Sequence, residues 1–188
     1  MSRRILVMRL TAMGDVAMTA PIVASVCQAN PDAEVDFLST PFFEPFFERL
    51  PNFHFVGTDI RKQRHGFASL LRLFRDLRSG KAQGRDEACK YDLVIDLHDV
   101  LRTKVLRSLF RLAGAKVFTI DKGRAEKRRL VSGKEHKQLS PMTLRYADVF
   151  KRAGLVVPDG LRLRPKEALP GCCNGLVKGA DVWIGVFH

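Results

Sequence analysis

Several absences narrow the field before any motif is read. In 188 residues there is no run near the roughly 18 apolar residues that span a bilayer. Met1 to Arg4 followed by six mostly apolar residues is too short for a signal peptide, so a cytoplasmic protein is expected. The four cysteines, Cys27, Cys89, Cys172 and Cys173, form no CxxC pair and have no histidine at ligand spacing. Neither a disulfide framework nor a zinc site is indicated, and all four are expected to be reduced thiols. No DxD triplet is present to hold a divalent metal against a diphosphate, so no metal requirement is expected. With one Trp, two Tyr and thirteen Phe, mostly at core-like positions, there is no obvious stacking platform for nucleic acid.

Acid is also scarce: 32 Lys and Arg against 20 Asp and Glu give a formal net charge of +12. That excess points to an anionic partner, whether nucleic acid, a membrane surface or a phosphorylated substrate. It concentrates between Arg61 and Lys137, where Arg61, Arg64, Arg72, Arg75, Arg102 and Arg107 precede a dense group from Lys122 to Arg129.

What is present is an alternation of strand and helix patterns. Ile5–Leu10, Val35–Leu38, Phe53–Val56, Leu93–Leu97 and Val117–Ile120 read as five strands. The first helix starts either at Thr19, as N-cap to Pro21, or at Asp15 with a kink at Pro21, and ends at Asn30-Pro31. Pro41 opens a short aromatic helix. Phe67–Arg78 places Leu70, Leu71, Phe74 and Leu77 on one face, and Leu101–Ala113 repeats the pattern with Leu106, Leu109, Phe110 and Ala113. Ser140-Pro141 reads as an N-cap and first-turn pair for a helix that Gly154 stops. Strands apolar on both faces, separated by helices, predict an α/β fold: a Rossmann-like parallel sheet with helices on both faces. Ligands of such sheets sit at the carboxyl ends of the strands, so the segments after Leu10, Leu97 and Ile120 should share one edge.

After Gly154 the texture changes. Residues 1–157 read as one domain and 158–180, rich in Pro and Gly, as a linker. The apolar segment Asp181–Phe187 either pairs back onto the same sheet or opens a second domain over 181–188 that ends at once, and the second reading is preferred because a bare terminal strand is a poor edge.

The turn Arg9–Asp15 lies between a buried strand and a helix, where backbone N–H groups converge on a ligand. It has one glycine, and neither GxGxxG nor GxxxxGK[ST], which argues against dinucleotide and triphosphate binding. Asp15 there is either a helix cap or a general base. Asp96 reads as a buried, hydrogen-bonded carboxylate or a functional one, and His98 as a ligand contact or a loop closure. Asp121–Arg129 reads as a flexible basic loop at the ligand edge, beside Arg102, able to contact phosphate or carboxylate.

Ile5–Val16 with Thr19-Ala20-Pro21, Tyr91–Leu97 followed by Leu101-Arg102, and Asp121–Arg124 with Arg145-Tyr146 together resemble the ADP-heptose:lipopolysaccharide heptosyltransferases, glycosyltransferase family 9. The resemblance covers most of residues 4–155. It implies the amino-terminal half of a GT-B architecture, in which this domain grips the acceptor and a carboxy-terminal domain the nucleotide sugar, here ADP-heptose. It implies inverting transfer with Asp15 as catalytic base. Thr11, Gly14, Arg61, Arg64, Arg102, Lys122 and Arg124 are the implied acceptor contacts. The acceptor would be a phosphorylated, lipid-linked sugar of the lipopolysaccharide core, and the basic surface would hold the protein at the anionic inner membrane. Family members run to about twice this length, so the chain is expected to bind acceptor without turning over. The competing readings are a basic nucleic-acid-binding module and a non-catalytic interaction domain.

Overall fold

The computed structural model describes residues 3–47, 50–58, 66–133 and 136–159. Arg61 and Arg64, Cys172 and Cys173, and the linker and second-domain readings from residue 160 onward lie outside the described residues.

Five parallel strands form one sheet: β1 (Arg3–Met8), β2 (Ala33–Ser39), β3 (Phe53–Gly57), β4 (Leu93–Asp96) and β5 (Lys116–Thr119), in the order β3-β2-β1-β4-β5. The helices are α1 (Met13–Ala29), α2 (Gly66–Arg78), α3 (Leu101–Leu112), α4 (Arg124–Val131) and α5 (Met142–Arg152), with short 3-10 helices at Pro41–Phe47 and Lys81–Gln83. Because side chains alternate across a strand, β1 divides its residues between two cores. Ile5 and Val7 join α1, α5 and the phenylalanines of Pro41–Phe47 on one face. Leu6, Met8 and Leu10 join α2 and α3 on the other. The Rossmann-like sheet covered on both sides is therefore present, and all five strands fall where the apolar runs put them, within one or two residues.

Several local expectations need correction. α1 starts at Met13 and runs through Pro21, so Thr19 is not its N-cap; the Thr19 hydroxyl instead donates to the Val16 carbonyl at 2.6 Å. An interior proline costs an isolated helix about 3 kcal/mol. Here the burial of Val16, Ile22, Val23 and Val26 against the sheet outweighs that cost. The buried line of α2 is Leu70, Leu73 and Leu77, with Leu71 only half-buried. Pro141, not Ser140, is the N-cap of α5. The basic segment after β5 is helical from Arg124 rather than a loop. Gly123 enters its N-cap at φ 61°, and its N–H donates to Asp121 Oδ1 at 2.8 Å. α4 buries none of its residues, so its charge run disguised a helix with no apolar face for periodicity to detect. Among the described residues, no helix is long and apolar enough to cross a membrane.

Candidate functional site

β1 stands beside β2 on one side and β4 on the other, and α1 and α3, which follow β1 and β4, cover opposite faces of the sheet. The chain order reverses direction between β1 and β4, and this opens a crevice beyond their carboxyl ends, the place where open α/β sheets bind ligands. The two turns are stitched together there. Leu97 N–H donates to the Met8 carbonyl at 3.1 Å, and Thr11 Oγ1 lies 3.3 Å from His98 Nε2.

Arg9 is the centre of the arrangement. It continues the parity of Ile5 and Val7, so its side chain passes into the face covered by α1 and α5, and it is only 4 % exposed. Its Nη1 donates to the Leu97 carbonyl at 2.7 Å, its guanidinium lies over the Tyr146 ring at 5.8 Å, and its Nη2 pairs with Asp15 Oδ2. Arg9 Nε has no partner among the described residues. Asp15 is the third residue of α1, and Ala12 is the N-cap, with no side-chain cap hydrogen bond. Capping therefore does not account for this carboxylate, which Arg9 holds at the positive end of the helix with its side chain still 37 % exposed.

Tyr146 is fully buried beneath the pair, and its hydroxyl makes no hydrogen bond among the described residues. Burial pushes the phenol up; Arg9 opposes this, and the Asp15 carboxylate reinforces it. His98 is pushed down to about 4, by burial first and then by Arg9 and Lys122, against weaker pulls from Asp96 and Asp15. Its ring is therefore neutral at neutral pH. Lys122 is also held below the ordinary lysine range, by burial and by repulsion from Arg9 and Arg124.

Asp96 proves to be structural. It is completely buried; Oδ1 accepts from His98 N–H at 2.9 Å and Asp99 N–H at 2.8 Å, while Oδ2 accepts from Arg107 Nη1 at 2.9 Å. It shapes the turn that presents His98. Asp99 in turn receives Arg107 at 3.1 Å and Arg124 at 3.3 Å, which draws the start of α4 toward the same crevice. A Cβ at Gly123 would lie 2.5 Å from the Arg145 guanidinium, so a side chain there would push Arg145 off its present path to Glu126.

A cleft of about 370 Å³ opens beside this cluster, lined by Leu10, Thr11, Thr40, Thr58, His98, Val100, Leu101 and Arg102. Of the residues expected from sequence, Thr11 and Arg102 line the cleft, and Asp15, Lys122 and Arg124 belong to the charged cluster around Arg9, His98 and Asp99. Gly14 is exposed in the first turn of α1, where a Cβ would meet nothing within 4 Å, so packing does not demand glycine there. Thr40 and Thr58 were not anticipated. Each directly follows a strand, β2 or β3, and the same carboxyl-edge rule that pointed to the turn after β1 would have found them.

The fold and crevice define a class: a Rossmann-like α/β domain of the kind that forms the amino-terminal half of GT-B proteins. No protein-family model matches the sequence, and no curated protein matches it. Among solved structures, the chain is similar to a glycosyl transferase of family 9 from Veillonella parvula, at 22% identity and TM-score 0.57, over 88% of this chain and 46% of that one. It is also similar to Escherichia coli heptosyltransferase WaaC with ADP-2-deoxy-2-fluoro heptose, at 21% identity and TM-score 0.58, over 84% of this chain and 50% of the other. A third likeness is to Escherichia coli ADP-heptose lps heptosyltransferase II, at 18% identity and TM-score 0.54, over 93% of this chain and 50% of that one. The chain spans about half the length of each structure.

Proposed function

We propose that this domain is the acceptor-binding half of a heptosyltransferase-type glycosyltransferase, with Asp15 as its general base. The observation that carries the reading is the carboxylate of Asp15, fixed by a buried arginine at the β1–β4 crevice and left partly open to solvent. Arg9 engages Oδ2, so Oδ1 is the oxygen available to a sugar hydroxyl. As that hydroxyl attacks the anomeric carbon of ADP-heptose, the new C–O bond forms and the bond to the diphosphate breaks. The configuration inverts, and the hydroxyl proton passes to Asp15. An oxocarbenium-like transition state makes the attacking hydroxyl more acidic, which suits a carboxylate base.

The acceptor in this proposal is a phosphorylated, lipid-linked sugar of the lipopolysaccharide core at the anionic inner membrane. Thr11 and Arg102 would hold it in the cleft, and Lys122 and Arg124 would meet its phosphate or carboxylate groups. Gly14 would leave room at the helix start. The nucleotide sugar belongs to a second domain corresponding to the other half of the similar structures, and no metal enters the scheme.

The test is acceptor binding by this chain, measured by calorimetry with a deacylated, phosphorylated core saccharide. Asp15→Asn should keep binding within about threefold, because the base acts in the transition state and contributes little to ground-state affinity. Lys122→Ala with Arg124→Ala should weaken binding about tenfold or more, and the loss should shrink as salt rises. In a protein supplied with both domains, Asp15→Asn should abolish transfer from ADP-heptose. Transfer that persists in that variant, or absence of any saccharide binding, would sink the proposal.

A further inference from the structure

The two helical layers differ in charge in a way the fold does not require. α2 carries Arg72, Arg75 and Arg78 against Asp76, and α3 carries Arg102, Lys104, Arg107 and Arg111 with no acid. Arg107 turns inward to Asp96 and Asp99. Arg72, Arg75, Arg102 and Arg111 are exposed and form no ion pair among the described residues. The helices packed on the opposite face of the sheet are different: α1 has no Lys or Arg, and every base of α5 is paired, while the basic α4 buries none of its residues and belongs to neither core. Arg145 meets Glu126, Arg152 meets Asp148 at 2.7 Å, and Lys151 meets Asp159 at 3.3 Å.

Large apolar side chains stand uncovered among the unpaired arginines: Phe67 is 62 % exposed, Leu101 78 % and Leu112 86 %. Leu101 and Leu112 are eleven residues apart, close to three helical turns, so they lie along one line of α3. That line faces away from the buried Leu106 and Phe110. α2 and α3 follow β3 and β4 and pack against each other, so Phe67 and Leu101, each at its helix start, both lie toward the carboxyl edge of the sheet.

We infer that the outer surface of α2 and α3 is the face by which the protein lies on an anionic lipid bilayer. Unpaired arginines supply the attraction to acidic headgroups, and protruding Phe and Leu gain by leaving water for the headgroup–acyl boundary. A nucleic acid would meet the arginines equally well but offers little to two leucines, which cannot stack on bases. The inference deepens the membrane partner of the proposed function by assigning it a surface. Leu101 and Arg102 also line the cleft beside Thr11, so contact through this face sets the cleft mouth at the lipid surface, where a lipid-linked acceptor presents its sugar. Vesicle binding reports on the surface alone and can succeed or fail independently of Asp15.

The experiment is co-sedimentation of the full chain with phosphatidylcholine vesicles, with and without phosphatidylglycerol. Binding should require phosphatidylglycerol and weaken as salt rises. At about fivefold for each cation, Arg72→Ala with Arg75→Ala should weaken binding about 30-fold. Phe67→Ser with Leu112→Ser should weaken it about tenfold with the charge unchanged. Lys151→Ala with Arg152→Ala, on the opposite layer, should leave it within about twofold, and circular dichroism should show every variant folded. Equal losses from the two layers would reduce the effect to net charge and overturn the inference. So would binding indifferent to phosphatidylglycerol, or duplex DNA displacing the vesicles at matched salt with the same variants losing DNA binding.

Discussion

Lowering the pH from 7 toward 4 should destabilise the domain through His98. In the folded protein, burial and the Arg9 and Lys122 charges push its ring down to about 4, from 6.5 in an unhindered histidine. Between these values the unfolded chain binds a proton that the native ring refuses, so stability rises with pH across the window. The contribution is complete above pH 6.5, falls as pH drops through the window, and is gone below about 4. At 1.36 kcal/mol per pH unit the ceiling is about 3.4 kcal/mol. Water reaches the half-buried ring, and screening brings the expected loss to about 1–2 kcal/mol. Urea unfolding of the native chain and of His98→Gln, compared at pH 7, 6, 5 and 4.5, isolates this term from other titrating groups. The stability difference between the two proteins should shrink by about 1–2 kcal/mol as pH falls, a relative midpoint shift of about 0.5–1 M urea. The ring's own titration, followed by NMR, should lie well below 6. A stability difference that stays flat with pH, or a ring that titrates at 6.5 or above, would refute the assignment of His98 as a buried neutral group between two cations.

Two further substitutions separate structure from chemistry at the crevice. Asp96→Ala should cost about 2–4 kcal/mol in urea unfolding, because it leaves two turn N–H groups without their acceptor and takes from Arg107 one of its two carboxylates, Asp99 keeping the other contact; a loss under 1 kcal/mol would show that the turn does not depend on this carboxylate. Tyr146→Phe should be neutral or stabilising by up to about 1 kcal/mol, since it removes a buried hydroxyl that finds no well-aligned hydrogen-bond partner among the described residues. A loss above 1 kcal/mol in the same measurement would mean that the hydroxyl donates to Asp15.

The strands were legible in the sequence because a parallel sheet covered on both faces needs nearly continuous apolar runs. Leu6 and Val7, on successive residues, enter different cores. The carboxyl-edge rule then placed the turns after β1, β4 and β5 together without any knowledge of side-chain contacts. Legibility failed where one residue type had two local meanings. Of the two starts open for α1, the one at Asp15 lies within two residues of the observed Met13, whereas Thr19-Ala20-Pro21, a sound helix start on propensity, is overridden by the interior burial of α1. Arg124–Val131 has the composition of a solvated loop and forms a helix that buries nothing, so no hydrophobic period marks it. Asp15 could not be separated from a cap by position. The distinction needed Arg9, whose parity with Ile5 and Val7 was readable but whose partners, Leu97 and Tyr146, come from distant parts of the chain.

That arginine ties the fold to the chemistry. A buried guanidinium at a strand end is costly unless its donors are met. Arg9 meets that demand at both terminal nitrogens, though not at Nε, with groups from three elements: the Leu97 carbonyl after β4, the Tyr146 ring of α5 and the Asp15 carboxylate of α1. Each partner satisfies the arginine, and the arginine fixes each partner relative to the others. Asp15 therefore depends for its position on packing in the sheet face as well as on its own helix. A base in solution would share its carboxylate with water and rotate freely. Here one oxygen is committed to a cation that the core cannot release, and the other is left for the crevice. A carboxylate partly open to the crevice is held by an almost fully buried charge, so perturbing the core beneath Tyr146 should reach the crevice through Arg9.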